Sequence, residues 1–272
     1  MRRRLSRGVT TIAIIVLVLA VAIAAGVYLL LNRARPFVAS QRCEVTTPEG
    51  SLSLDIDQAQ VTATIAAVAA RRKLPERAVV IAYATGIQES KLRNLPFGDR
   101  DSIGIFQQRP SQGWGKPDQL LDPVYTTERF FSALVRVKDY RKLPLHIAAQ
   151  AVQRSADGNA YAQHEPDAKI LAAAFTGRIP KAVNCWFAAP KATPTPHTHL
   201  DEARAELKRA LGSGTSPASE QQGWLIASWS VTHAQRYNLR SVGYSGERWT
   251  ALTGLDGWQA DTTAGKTAVE LR

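Results

Sequence analysis

The sequence predicts a mainly α domain held behind a single N-terminal transmembrane helix, with a small α+β module at the C-terminal end. Three observations predict it. An uncharged, mostly apolar run fills residues 9–31. Apolar residues recur at helical spacing through most of residues 57–187. A Pro-Thr-rich break at 188–196 then separates that stretch from a tail, 223–272, that holds four of the six tryptophans.

At ~1.5 Å rise per residue the run 9–31 can cross a hydrocarbon core about 30 Å thick. Arg2, Arg3, Arg4 and Arg7 make residues 1–8 a basic tail, which the positive-inside rule keeps in the cytoplasm. Everything after Asn32 is then outside, in a single-pass protein of the plasma membrane. Ala20, Ala22, Ala24 and Ala25 offer a signal-peptidase alternative, but the apolar run continues to Leu31, which favours an uncleaved anchor. Residues 32–56 are mixed and polar and read as a tether.

Asp57 can cap a helix with Val61, Ile65 and Val68 on one face. Pro75 and Glu76 open the next helix, which ends at Glu89. Its Val79, Val80, Ile81, Ala82, Tyr83 and Ile87 are apolar nearly all round, so it should be buried. Residues 94–115 form an irregular loop. Asp122-Pro123 is a cap and first-turn proline ahead of a helix carrying Phe130, Leu134 and Val137. Further helices are expected at 145–154 and 166–175. Residues 188–222 read as a linker: a Pro-Thr spacer, a helix over 201–211 stopped by Gly212, and a second flexible run. In the 223–272 module Trp224, Ala227, Val231 and Ala234 share a helical face, and strands are expected at 241–244, 248–252 and 267–271, with Ser245-Gly246 as a turn. Its tryptophans could form a glycan-binding face, but a unit this small needs large aromatics to make a core.

Cys43 and Cys185 bracket the central domain. In an oxidising compartment they could clip its ends together, a closure worth roughly 4 to 5 kcal/mol in the chain-entropy model; the alternative is two free thiols. His146, His164, His197, His199 and His233 show no metal-ligand spacing with cysteine, so no metal is expected, and no cofactor is implied. Net charge is +11, of which the N-terminal arginines supply four. The remainder suits anionic partners such as wall polymers or lipid headgroups, or is a solvated surface with no dedicated partner. Nucleic acid is not expected, since the topology removes it from that compartment.

Glu89 places one carboxyl at the end of the buried helix. Gly86, Thr85 and Ala82, three, four and seven residues before it, are small and leave room beside it for a ligand. A carboxyl shielded from water holds its proton more tightly and suits general acid catalysis on a leaving oxygen. The alternative is an ion pair between Glu89 and Lys91 or Arg93. The following loop offers Asp99, Asp101, Ser102, Gln107, Gln108 and Trp114; amides and a flat indole suit sugars, though loops also use them to satisfy their own backbone and packing.

Glu89-Ser90, Gly104-Ile105-Phe106-Gln107 and the stretch Ala148-Ala149-Gln150-Ala151-Val152-Gln153 together resemble the lysozyme-like fold of lytic transglycosylases and goose-type lysozymes. In that family a Glu-Ser pair closes a helix, a Gly-Leu-Met-Gln segment lies across the cleft, and an Ala-Tyr-Asn helix follows. The chain departs from the pattern at Ile105, Phe106, Val152 and Gln153, the last changing the amide offered to the sugar's N-acetyl group. The resemblance covers residues 57–187. It implies that Glu89 is the catalytic acid and base, that Ser90, Ser102, Gly104, Phe106, Gln107, Gln108, Trp114, Gln153 and Tyr161 line the substrate groove, and that the substrate is the glycan strand of peptidoglycan. Tyr161 could equally pack locally. Asp99 or Asp101 would serve as second carboxylate in a hydrolytic muramidase, and a wall-binding scaffold without turnover is a further alternative. Any partner in the cell-envelope machinery is left open by the sequence.

Overall fold

The computed structural model describes residues 7–38, 41–154, 159–187, 199–252 and 254–272. The predicted basic tail up to residue 6 and the whole Pro-Thr spacer 188–196, with His197, lie outside the described residues. Helix α1 (Arg7–Val38) carries Thr11–Leu29, a stretch long and apolar enough to cross a membrane, with none of it buried. It belongs to a different unit from the one that contains Gln41–Phe187 and Ala192–Arg272.

That second unit opens with strands where a tether was expected. Strands β1 (Arg42–Thr47) and β2 (Gly50–Leu54) pair antiparallel through a tight turn, Thr47 opposite Gly50. The alternation that drives them is short: Cys43, Val45 and Thr47 point inward, with polar residues between. Helix α2 (Ile56–Arg71) follows, capped by Asp55 rather than Asp57, with the Asp55 N–H donating to Gln58 Oε1 at 2.8 Å. Helix α3 (Glu76–Ser90) is buried over Ala78 to Gly86, as its all-round apolar sequence requires. After the 91–116 loop come α4 (Pro117–Leu120), α5 (Pro123–Leu134), α6 (Leu145–Gln153), α7 (Asn159–Ala162) and α8 (Glu165–Phe175). Asp122 caps α5, its Oδ1 accepting from the Val124 N–H at 2.9 Å.

Strand β3 (Val183–Trp186) returns to β1, giving the order β2-β1-β3. Cys43 and Cys185 stand directly opposite each other in this pairing and form a disulfide. Beyond it lie α9 (Leu200–Leu211), α10 (Glu220–Thr232), α11 (Ala234–Tyr237) and strands β4 (Ser241–Tyr244), β5 (Glu247–Thr250), β6 (Gln259–Ala260) and β7 (Glu270–Leu271), in an antiparallel sheet ordered β6-β5-β4-β7.

The sequence expects a separate module over 223–272, and here the structure differs. α9 and α10 pack on α2, α10 also packs on β3 and β4, and one continuous core runs from Cys43 to Leu271. The physical reason is that α10 has no exposed face: every residue from Gly223 to Thr232 is buried. Gly223 lets it touch β4, since a Cβ there would meet the Tyr244 ring at 2.0 Å. The tryptophans are core rather than surface: Trp224, Trp229 and Trp249 are at most 3% exposed. Trp249 and Trp258 also donate indole hydrogen bonds to the carbonyls of Cys185 and Val183, sealing β3.

Candidate active site

Glu89 occupies the last turn of α3 and is half-buried. No ion pair reaches it among the described residues. Arg93 pairs instead with Asp55 and, at 2.7 Å, with Asp57, and the Lys91 carbonyl accepts from Gln58 Nε2 at 2.8 Å. These contacts latch the start of α2 to the end of α3 and commit the Arg93 guanidinium to Asp55 and Asp57 rather than to Glu89. What holds Glu89 is Tyr161 on α7, whose hydroxyl donates to Glu89 Oε1 at 2.7 Å. Tyr161 is 2% exposed, so the phenol comes from the core side. A carboxyl fixed through one oxygen keeps the other in a set orientation, the requirement for handing over a proton and taking one back. One turn away, His164 Nε2 meets Gln88 Oε1 at 2.8 Å, a second tie between the end of α3 and the α7–α8 region; burial pushes that imidazole below its ordinary value.

The small residues behind Glu89 serve packing. A Cβ on Gly86 would lie 2.8 Å from Leu92 Cδ2 and 3.5 Å from Ile105, so the space expected for a ligand is filled by the chain's own loop. Thr85 and Ala82 are fully buried. Close approach of the 103–108 segment to α3 is the result. Ser90 completes it: its hydroxyl donates to the Ile105 carbonyl at 2.8 Å and accepts from the Arg93 N–H at 3.1 Å. Ser90, expected from the motif to contact the sugar, is 6% exposed and ties the end of α3 to the loop.

The loop residues sort in the same way. Residues 103 and 108 form a two-way backbone bridge, which turns the segment back on itself. Gly104 has φ +78° and a Cβ there would stand 2.4 Å from the Leu120 carbonyl oxygen, so only glycine fits. Phe106 was expected in the groove but is fully buried, stacked on Phe130 with ring centroids 4.2 Å apart. Gln107 is half-buried and donates to the Gly104 carbonyl at 3.1 Å and the Phe97 carbonyl at 3.3 Å. Gln108 is 2% exposed, its Oε1 accepting from Thr126 Oγ1 at 2.7 Å, and Ser102 is 7% exposed. Gln153, at the end of α6, donates to the Phe106 carbonyl at 2.7 Å while its Oε1 is buried without a partner among the described residues.

Glu89, Ser90, the 104–107 segment, Gln153 and Tyr161 are therefore joined through α3, α6 and α7. Asp101 is not free to act: it accepts from Arg109 Nε at 2.7 Å and from the Ser111 N–H and hydroxyl. The Arg109 guanidinium first, and Ser111 next, hold its carboxyl well below the usual carboxylate range. Asp99 is solvent-exposed beside Arg100. Trp114 lies apart from these contacts, lining a groove with Arg129, Arg136 and Arg154 that nothing in the sequence motif signals. No protein-family model matches this chain, and no curated protein matches it.

Proposed function

We propose that the protein is a membrane-anchored enzyme that cleaves the glycan strand of peptidoglycan by lytic transglycosylation, with Glu89 as general acid and base. The observation that carries this reading is the Tyr161–Glu89 hydrogen bond on a carboxyl with no ion pair among the described residues. Glu89 protonates the glycosidic oxygen, the substrate's own acetamido group supports the cation that forms, and the Glu89 carboxylate then takes the proton of the muramyl C6 hydroxyl as that oxygen closes on C1. This substrate-assisted route needs no second protein carboxylate. The engagement of Asp101 with Arg109 and Ser111 disfavours a hydrolytic route in which that carboxylate would hold a water. The apolar α1 supplies a single-pass plasma-membrane anchor with the arginine-rich end in the cytoplasm. A disulfide in the second unit is in keeping with an oxidising, extracytoplasmic side.

The test is mass spectrometry of products from purified glycan strands. Anhydro ends are expected, and Glu89→Gln should lower their yield by ~10²-fold or more with the fold intact, because the amide keeps size but has no acidic proton to transfer. Reducing ends select the hydrolytic alternative. Absence of product from the wild-type chain selects a wall-binding scaffold, and near-normal cleavage by Glu89→Gln removes Glu89 from the chemistry.

A further inference from the structure

Two contiguous pockets meet beside Trp114. They share Trp114, Ala133, Arg136 and Arg154, and the first also includes Arg129; their volumes are about 130 and 210 Å³. Among the described residues no Asp or Glu lines either one. Several arginines elsewhere on this unit meet carboxylates: Arg71 and Arg72 share Glu128, Arg77 meets Glu165 and Arg109 meets Asp101. Around Trp114 they do not. Arg136 and Arg154 are exposed and have no carboxylate partner among the described residues, and Arg129 donates only to the carbonyls of Trp114 and Gly113, which orients its guanidinium without neutralising it. Three cations facing one concave surface raise the local concentration of anions.

We propose that this groove binds the carboxylate groups of the peptides carried on the glycan strand. The inference rests on the glycan-cleaving function proposed above and names the part of the substrate that the sugar chemistry leaves unread. A planar guanidinium fork matches a carboxylate through two parallel hydrogen bonds, and the Trp114 ring gives the adjoining aliphatic peptide atoms an apolar wall. The pocket volumes suit a carboxylate with its neighbouring peptide atoms. A concave site walled by an indole also differs from the convex lysine-rich surfaces that adhere to anionic lipid. Position supports the assignment: Arg154 directly follows Gln153, whose amide holds the Phe106 carbonyl, so the groove begins where the glycan-site loop is anchored.

Binding by full-length Glu89→Gln protein in detergent, measured calorimetrically, tests this without turnover. The probes are a muramyl disaccharide bearing a peptide with free carboxylates, the same compound with those carboxylates amidated, the bare disaccharide, and poly(glycerol phosphate). The free-acid compound should bind about tenfold more tightly than the amidated one. Arg136→Ala and Arg154→Ala should each remove about tenfold of that affinity, Arg136→Lys less, and none should alter binding of the bare disaccharide or the melting temperature. Equal affinity for the free and amidated compounds overturns the proposal. So does an equal loss on the bare disaccharide, or arginine-dependent capture of poly(glycerol phosphate) in place of the peptide. Cleavage by the wild-type chain is scored separately: arginine-dependent peptide binding without any glycan cleavage refutes the enzymatic function and leaves the groove, whereas cleavage without carboxylate preference refutes the groove alone.

Discussion

Tyr161 reaches Glu89 from a helix of four residues, so its phenol is placed by its own burial rather than by a long rigid element. Tyr161→Phe keeps the ring and removes only the donor. Turnover of short glycan should fall ~10-fold in kcat with KM nearly unchanged, because the lost contact orients the acid rather than the sugar. Unchanged kcat in steady-state assays would separate the phenol from catalysis. At this scale the sequence made Glu89 legible, since an acid closing a buried helix before a Gly-x-x-Gln loop is a local pattern. It did not reveal what the neighbours do. Ser90, Gly104 and Phe106 occupy motif positions and Gln108 follows the motif, yet their side chains or backbones hold the loop against α3, α5 and Leu120. A motif fixes residue type and spacing; which way a loop side chain turns depends on tertiary partners such as Phe130 and Thr126, far away in the chain. The arginines of the Trp114 groove were hidden for the same reason, coming from α5, the segment after it and the end of α6.

Among the elements, α10 carries a titratable group through the centre of the fold. His233 closes it, 3% exposed, stacked on Trp229 with ring centroids 4.0 Å apart and with Nδ1 2.8 Å from the Trp229 carbonyl. Burial pushes its imidazole down to about 3, the Trp229 carbonyl opposing that shift and Arg236 adding to it. The unfolded chain takes up this proton near the ordinary histidine value of 6.5, whereas the folded chain does not until about pH 3. Stability is therefore lost as pH falls through that window. His233→Phe preserves the stack and removes the titration. Its melting temperature should change less between pH 6.5 and 4 than that of the wild-type chain, and parallel curves in calorimetry would exclude His233 as the acid-sensitive group. Most helices were legible because their stop and start signals are local: Asp122-Pro123 opens α5, and Gly212 at φ +81° ends α9. The β1–β2 hairpin was missed because its inward positions, Cys43, Val45 and Thr47, are too few to stand out, and its stability comes from β3, read more than a hundred residues later.

On the scale of the whole unit, the tail beyond residue 222 is an inner layer of the main core. Trp224, Trp229 and Trp249 bury on the order of 150–250 Å² each, which at about 25 cal/mol per Å² is roughly 4–6 kcal/mol apiece. Three such terms are comparable to the whole net stability of a domain, about 5–15 kcal/mol. Removing residues 223–272 should therefore abolish cooperative unfolding of the remainder, read by circular dichroism and calorimetry. A truncated chain with the wild-type melting temperature would restore the two-module organisation expected from composition. That expectation failed because the Pro-Thr-rich stretch marks a break in composition, while the chain returns to the same core after it. The pairing of Cys43 with Cys185 has a further consequence during synthesis. The first thiol is made 142 residues before its partner, an interval on the order of ten seconds at ribosomal rates. β2 covers one side of β1 at once, but the side awaiting β3 stays open. With only two cysteines in the chain, no wrong intramolecular bridge exists. The competitor of the correct bridge is then a cysteine of another copy, so the share of cross-linked pairs should rise with the concentration of unfinished chains.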